Sequence, residues 1–248
     1  MSKILKYELK RQIFNKFFIG LLAINGLYAW YTLTSDIIAG TAYTAPFSGW
    51  SFGTYLSTVM PIISLTILFM MSRYFSKKEK QVQVITSATP VDPIRFMLTR
   101  CTAITVGFIL IITVLLIISA YFYISFFKYY NFTAFLLPII YTLIPSYVFI
   151  LGLGILAGRV HQGLFYVLML VSLALCFVHI SGAFDFFGRG YYNNYPITLP
   201  VSAGGEPAFS VSDKFLLARL AYLLLGLGML TVSIQSVKRK ARRDSLRI

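Results

Sequence analysis

The chain has 248 residues, of which 58% are apolar and 12% are charged, and its net charge is +14. Soluble domains average about 45–50% apolar and about 25% charged residues. The composition therefore excludes an ordinary soluble domain and favours a protein that has lipid around much of its surface. The two cysteines, Cys101 and Cys176, lie inside apolar runs, so we expect them to pack as small hydrophobic side chains and to form no disulfide framework.

Six segments are long and apolar enough to cross a membrane. A transmembrane helix needs about 20 mostly apolar residues, because the hydrocarbon core is about 30 Å thick and each residue rises about 1.5 Å. The sequence predicts an all-α integral membrane protein whose single transmembrane domain covers 17–237. The expected spans are 17–34, 51–72, 101–124, 135–157, 163–181 and 215–237.

The cations are distributed unevenly between the two sides of these spans. Of the 22 Lys and Arg residues, 18 lie in the N-terminal arm, the loops after spans two and four, and the C-terminal tail, and three lie on the opposite side. Lys and Arg accumulate on the cytoplasmic side of membrane proteins, so the bias predicts a multi-pass protein of the cell membrane with both termini in the cytoplasm. It also accounts for the positive charge without a nucleic-acid partner.

The two terminal segments are predicted to contact the membrane from the cytoplasmic side. In the arm 1–16, Leu5, Leu9 and Ile13 recur every four residues, and lysines occupy the other face. This pattern predicts an amphipathic helix that lies in the cytoplasmic interface. The basic cytoplasmic tail 238–248 is expected to bind anionic lipid head groups.

The segment 182–214, between spans five and six, is long and rich in aromatic residues and glycine. Aromatic rings favour the membrane interface, so we expect this external segment to lie against the outer leaflet. In the neighbouring span six, Arg219 lies one helical turn from the outer end. We expect it to extend outward to the interface, and contact with an anionic group in a polar cavity is the alternative.

Glycines in two predicted spans are spaced for close helix contact. Gly154 and Gly158 form a small-xxx-small pattern in span four, and Gly226 and Gly228 lie in span six. Such positions allow two helix backbones to approach closely. We expect packing within the chain, with contact between copies as the alternative.

The chain contains few residues that indicate catalysis. It has no G-x-x-x-x-G-K-[ST] motif, which would bind a nucleotide phosphate, and its two histidines, His161 and His179, fall at opposite ends of span five. None of the predicted spans contains Asp or Glu, which disfavours ion-coupled transport. A membrane enzyme that uses His179, Asp185 and Glu206 at the external face remains an alternative.

The cytoplasmic loop 73–100 carries the most specific pattern. Residues 77–88 are predicted to form a short helix with Val82, Ile85 and Ala88 near one face. Pro90 ends that helix, because the residue before proline leaves the helical region. Asp92 and Pro93 are a typical N-cap and first-turn pair for the next helix.

This loop, together with the interfacial helix and six spans, resembles the membrane subunits of ABC-2-type ABC transporters. In that family an acidic residue, an apolar helix and a Thr-Pro-Val-like turn precede span three, and the segment before span six forms re-entrant external helices. The resemblance implies that the loop is a coupling helix, which docks on a separate ATPase. The residues that it assigns to ATPase coupling are Glu79, Val82, Ile85, Thr89, Pro90 and Val91.

The function implied by the resemblance is that of a permease, not of an enzyme. Two ATPase subunits would bind ATP and magnesium, and a second permease copy or a related chain would complete the export pathway. Few polar residues lie in the spans, which favours an amphipathic cargo such as a peptide or a lipid. A sensor or immunity component of an ABC complex that moves no cargo is a further alternative.

Overall fold

A computed structural model describes residues 2–76, 79, 93–177, 182, 185–201 and 205–245. Every regular element in these ranges is helical. The helices are α1 (Ser2–Ile13), α2 (Lys16–Thr32), α3 (Gly49–Tyr74), α4 (Pro93–Phe127), α5 (Leu136–Val160), α6 (Leu164–Phe177), α7 (Arg189–Asn194) and α8 (Asp213–Ser245). A π-helical turn, Leu33–Ile37, extends α2. A 3-10 turn at Phe132–Phe135 precedes α5, and another at Pro196–Thr198 follows α7.

Five helices in the described ranges are long and apolar enough to cross a membrane. They are α2 with its π-helical turn, α3, α4, α5 with its preceding turn, and α8. This confirms the predicted helical class and membrane character. Helix α4 has 35 residues and begins at Pro93, eight residues before the predicted span, so its length of roughly 52 Å exceeds a hydrocarbon core of about 30 Å.

The structure describes only part of the fifth predicted span. Over 163–181 the structure has helix α6, an apolar helix of 14 residues. At about 1.5 Å per residue it is roughly 21 Å long, shorter than a hydrocarbon core of about 30 Å. Residues 178–181 lie outside the described ranges.

Helix α3 occupies the centre of the bundle. In its most apolar window 83% of residues are buried, compared with 22–56% for the other four long helices. It contacts α2, α4, α5, α6 and α7. A helix that is covered on all sides in this way is positioned by its neighbours, so any movement of α3 requires the surrounding helices to repack.

Helix ends that lie far apart in the chain meet at one end of the bundle, which we call the basic end. Arg159 at the end of α5 donates hydrogen bonds to the Ser233 carbonyl and the Ser236 hydroxyl of α8. Phe75, after α3, packs against Phe165 at the start of α6. Helix α1 lies at the same end, where it contacts α4. The opposite, far end carries the start of α3 and the segments 185–201 and 205–212, and Trp50 Nε1 donates to the Pro207 carbonyl there at 3.2 Å.

The polar residue that interrupts the first predicted span has its amide nitrogen paired inside the bundle. Asn25 is 2% exposed, and its Nδ2 donates to the Leu21 carbonyl and to Thr66 Oγ1, both at 2.8 Å. Buried amides are tolerated when they are hydrogen-bonded. Asn25 therefore joins α2 to α3, and the helix continues through it.

The structure confirms that the N-terminal segment is helical. Helix α1, however, buries other side chains than those that the amphipathic pattern predicts. Its most buried side chains are Glu8 and Gln12, each 2% exposed, whereas Phe14 just beyond it is 81% exposed. The expected apolar residues Leu5, Leu9 and Ile13 are half-buried. The reason is tertiary, because a polar stripe of α1 meets complementary groups on α3 and α4.

Gly152 of α5 and Gly226 of α8 lie where these two helices pack together. A Cβ added to Gly226 would lie 2.7 Å from the Val148 carbonyl group, and one added to Gly152 would collide with the Gly226 backbone. Gly154 and Gly158 face Met71 and Phe75 at the end of α3. For these four glycines the structure confirms packing within the chain.

Gly226 and Gly228 provide a matched test of this packing. Gly226→Leu should lower the melting temperature in detergent by several degrees, because the side chain meets backbone atoms that cannot yield; overpacking typically costs about 1–3 kcal/mol. Gly228→Leu on the same helix should have little effect, since nothing lies within 4 Å of its Cβ position. Thermal unfolding followed by size-exclusion fluorescence measures both, and equal effects would contradict the proposed close contact.

Candidate functional site

The structure describes only one of the six residues assigned to ATPase coupling. Glu79 lies just after α3, and Val82, Ile85, Thr89, Pro90 and Val91 lie outside the described ranges. Helix α4 begins at Pro93, as predicted. The observable part of the candidate site is therefore the base of the loop, where it leaves α3 and enters α4.

At this base, Glu79 is held by two arginines from distant parts of the chain. Arg11 Nη1 of α1 donates to both carboxylate oxygens of Glu79, at 3.3 and 3.1 Å. Arg100 Nη2 of α4 donates to Glu79 Oε1. The Glu79 side chain is only 12% exposed, so the two guanidinium groups replace most of the water that would otherwise solvate it.

A second carboxylate completes the arrangement. Glu8 of α1 lies 2.9 Å from Arg11 Nη2 and 3.7 Å from Arg100 Nε. Two acids and two arginines therefore alternate, and their charges cancel. We call Glu8, Arg11, Glu79 and Arg100 the four-charge cluster. Neutrality matters because an unpaired charge at this degree of burial is costly.

Aromatic rings support the two arginines. The guanidinium carbon of Arg100 lies 4.9 Å from the Tyr74 ring centre and 4.3 Å from that of Phe96. Arg11 lies 5.2 Å from the same Tyr74 ring. Cations are attracted to the faces of such rings. Tyr74, the last residue of α3, thus contacts both cations of the cluster.

Burial and neighbouring charge act in opposite directions on the pKa of Arg11. Burial lowers the pKa of its guanidinium, and the carboxylates of Glu8 and Glu79 raise it, so that the pKa is raised overall. Arg11 therefore stays positively charged at every physiological pH. Next to the four-charge cluster, Gln12 Nε2 donates to the Met70 carbonyl at 3.0 Å, and this bond links α1 to α3.

Sequence reasoning singled out Glu79 but missed Glu8, Arg11 and Arg100 as its partners. Positive charge alone gives no pairing information, so the sequence does not connect the arm 1–16 with the loop 73–100. One signal was available: Glu8 is the only acid in the arm 1–16. An isolated acid among the cations of a helix is buried only when it is paired, so Glu8 is a candidate for a specific partner.

At the far end, the geometry weakens the alternative of an external enzyme. The Asp185 carboxylate accepts hydrogen bonds from the backbone N–H groups of Phe187 at 3.2 Å and Gly190 at 2.6 Å. It is 9% exposed, so it stabilises the turn before α7 rather than facing substrate. His179 lies outside the described ranges, and within them no group of three His, Cys, Asp or Glu side chains is close enough to hold a metal ion.

The expectation that Arg219 extends outward to the interface is wrong. Arg219 is 2% exposed; Nη2 donates to the Asp185 carbonyl at 2.8 Å, and Nη1 donates to the Phe186 carbonyl. Its guanidinium carbon lies 4.3 Å from the Phe215 ring centre. Gly188 leaves the room for this contact, because a Cβ there would lie 2.6 Å from Arg219 Nη2. Arg219 therefore anchors the segment before α7.

The fold and these contacts define a polytopic helical membrane protein with a charged anchor at each end. Comparisons with protein-family models, curated proteins and solved structures find no match to this chain.

The first prediction for the site concerns Arg100. Removing one partner of a buried ion pair typically costs about 3–5 kcal/mol. Because the Arg100 side chain is 14% exposed, we expect Arg100→Gln to lower the free energy of unfolding by about 2–3 kcal/mol. Chemical denaturation in detergent measures this change.

Two further variants make the Arg100 test specific. In Arg100→Gln/Glu79→Gln the loss should be smaller than the sum of the two single losses, because the groups are coupled. Lys10→Gln, an exposed cation on α1, should be near neutral. Additive single losses would contradict a direct interaction between Arg100 and Glu79.

The second prediction concerns Arg219. Arg219→Met keeps an apolar stem against Phe215 but removes the donors to the two carbonyls. We expect faster amide hydrogen exchange over 185–195, whereas exchange near the four-charge cluster should not change. Hydrogen exchange read by mass spectrometry tests this, and protection equal to that of the native chain would show that Arg219 does not hold the segment.

Proposed function

We propose that this chain is the membrane subunit of an ATP-driven exporter of the ABC-2 type, coupled to separate ATPase subunits through the loop 73–100. The observation that carries the proposal is the attachment of Glu79. The acidic residue at the start of the loop contacts Arg11 of α1 and Arg100 of α4, rather than projecting freely into water. A loop with such an anchored base can transmit force to several helices at once.

The helices at the base of the loop are suited to this role. The loop connects the end of α3, the central helix, to the start of α4, the longest one. The four-charge cluster adds α1 as a third element. ATP binding in a partner would bias the loop between two positions, and packed helices respond to such bias by rigid movement rather than by local bending. ATP and magnesium would be bound by that partner.

In this proposal the chain crosses the membrane six times, with both termini in the cytoplasm at the basic end. The 18 cations on the predicted inner side support that orientation. Helix α6 and the residues after it would form the fifth crossing. Phe186 packs against Phe149 of α5 and Tyr222 of α8; these positions lie well inside the two helices, which supports a segment that re-enters the membrane from outside.

The position of α3 favours a pathway shared between two permease chains. A pathway through the middle of a single chain would have to displace α3, whose window is 83% buried. A pathway between two copies, or between this chain and a related one, leaves each bundle intact. The cargo proposed is amphipathic, a peptide or a lipid-like molecule, since few polar groups of the long helices face outward.

Co-purification tests the proposal directly. The chain is expressed with any ATPase that is encoded beside its gene and purified in mild detergent. Native protein should retain the ATPase. Glu79→Lys should weaken retention at least about tenfold, because it places a third cation beside Arg11 and Arg100 and breaks the base of the loop.

Two other variants separate docking from folding. Ile85→Asp changes the apolar face that the sequence predicts for the loop, and it should reduce ATPase retention without changing the melting temperature. Lys10→Gln should change neither quantity. If no ATPase associates with the native chain, the permease proposal fails. If ATPase associates and hydrolyses ATP but reconstituted vesicles move no peptide or lipid, a sensor or immunity role replaces transport.

A further inference from the structure

A small polar pocket lies beside the four-charge cluster. Its volume is about 220 Å³, and it is lined by Arg11, Gln12, Arg73, Ser76 and Glu79. Pockets that enclose drug-sized ligands measure about 300–1,000 Å³. This one is therefore suited to a compact polar group and not to a whole amphipathic molecule.

The described side chains that line the pocket carry a net charge of +1. Arg11 and Arg73 contribute two positive charges and Glu79 one negative charge. Arg11 is already paired with Glu8 and Glu79. Arg73 makes no ion pair among the described residues. Its guanidinium carbon lies 5.9 Å from the centre of the Phe17 ring. Among the described residues that line the pocket, the surplus is therefore one guanidinium group, that of Arg73.

Neighbouring aromatic residues place the pocket at the level of lipid head groups. Phe17 lies in the first turn of α2, which Asn15 caps by accepting a hydrogen bond from the Phe17 N–H. Phe17 is 65% exposed and Phe14 is 81% exposed. Exposed rings at the start of a helix that is apolar enough to cross a membrane favour the lipid–water interface.

We propose that this pocket binds the phosphodiester of a membrane phospholipid, with Arg73 as its principal ligand. A guanidinium can donate two parallel hydrogen bonds to phosphate oxygens, and the Ser76 hydroxyl supplies another donor. The surplus charge of +1 matches a phosphodiester, which carries one negative charge. Glu79 repels head groups that carry additional phosphates. This inference does not depend on the proposed transport function.

The test uses the full chain, delipidated in a non-ionic detergent and titrated with phosphatidylglycerol or phosphatidylethanolamine under native mass spectrometry. Arg73→Gln should weaken binding at least about tenfold, and Ser76→Ala should weaken it by a smaller factor. The control, Lys10→Gln, removes an exposed cation of the same charge from α1 and should leave affinity unchanged. Arg73→Lys should retain part of the affinity, because it keeps the charge but loses the paired donors.

Three outcomes would overturn the proposal. Equal losses in Arg73→Gln and Lys10→Gln would show that overall charge, not the pocket, attracts the lipid. Binding of diacylglycerol as strongly as phospholipid would exclude recognition of phosphate. Equally tight binding of soluble glycerophosphoglycerol or inorganic phosphate would assign the phosphate to solution rather than to the membrane. If Arg73→Gln fails to elute as a single species, Ser76→Ala and Arg73→Lys decide the question.

Discussion

The alternating pairing of two carboxylates and two guanidinium groups holds the basic end of this protein together. Neither Glu8 nor Glu79 could be buried to this extent alone, because desolvation of an unpaired carboxylate is costly. Arg11 and Arg100 compensate both acids at once. The same contacts determine how α1 packs, since its polar stripe rather than its apolar one is buried. They also determine where the loop after α3 begins.

At the far end, Arg219 holds the segment before α7 and makes no ion pair among the described residues. Arg219 donates to backbone carbonyls of Asp185 and Phe186, while the Asp185 carboxylate accepts from backbone N–H groups. Irregular backbone is tolerated within a membrane protein only where such groups are satisfied by protein. Arg219 and Asp185 thus stabilise the non-helical segment before α7. The described contacts of both side chains are with the backbone of this segment.

Between these two ends, close packing places the long helices. Gly152 and Gly226 let α5 and α8 approach to backbone contact, and Gly53 accommodates the Tyr192 ring against α3. Without a strong hydrophobic force between helices in lipid, such close approach is a main source of association energy. Helix α3 is therefore confined by its neighbours, and the proposed coupling would move it together with them.

The sequence by itself determined the helical class, the membrane character and the positions of most long helices, because these depend on the length and composition of local segments. It also identified Pro93 as a helix start and Glu79 as a residue of interest. Only the tertiary structure decided the partners of Glu79, the burial of Glu8 and the anchoring role of Arg219. Those features depend on which distant groups come within a few ångströms, and neither hydropathy nor charge counting contains that information.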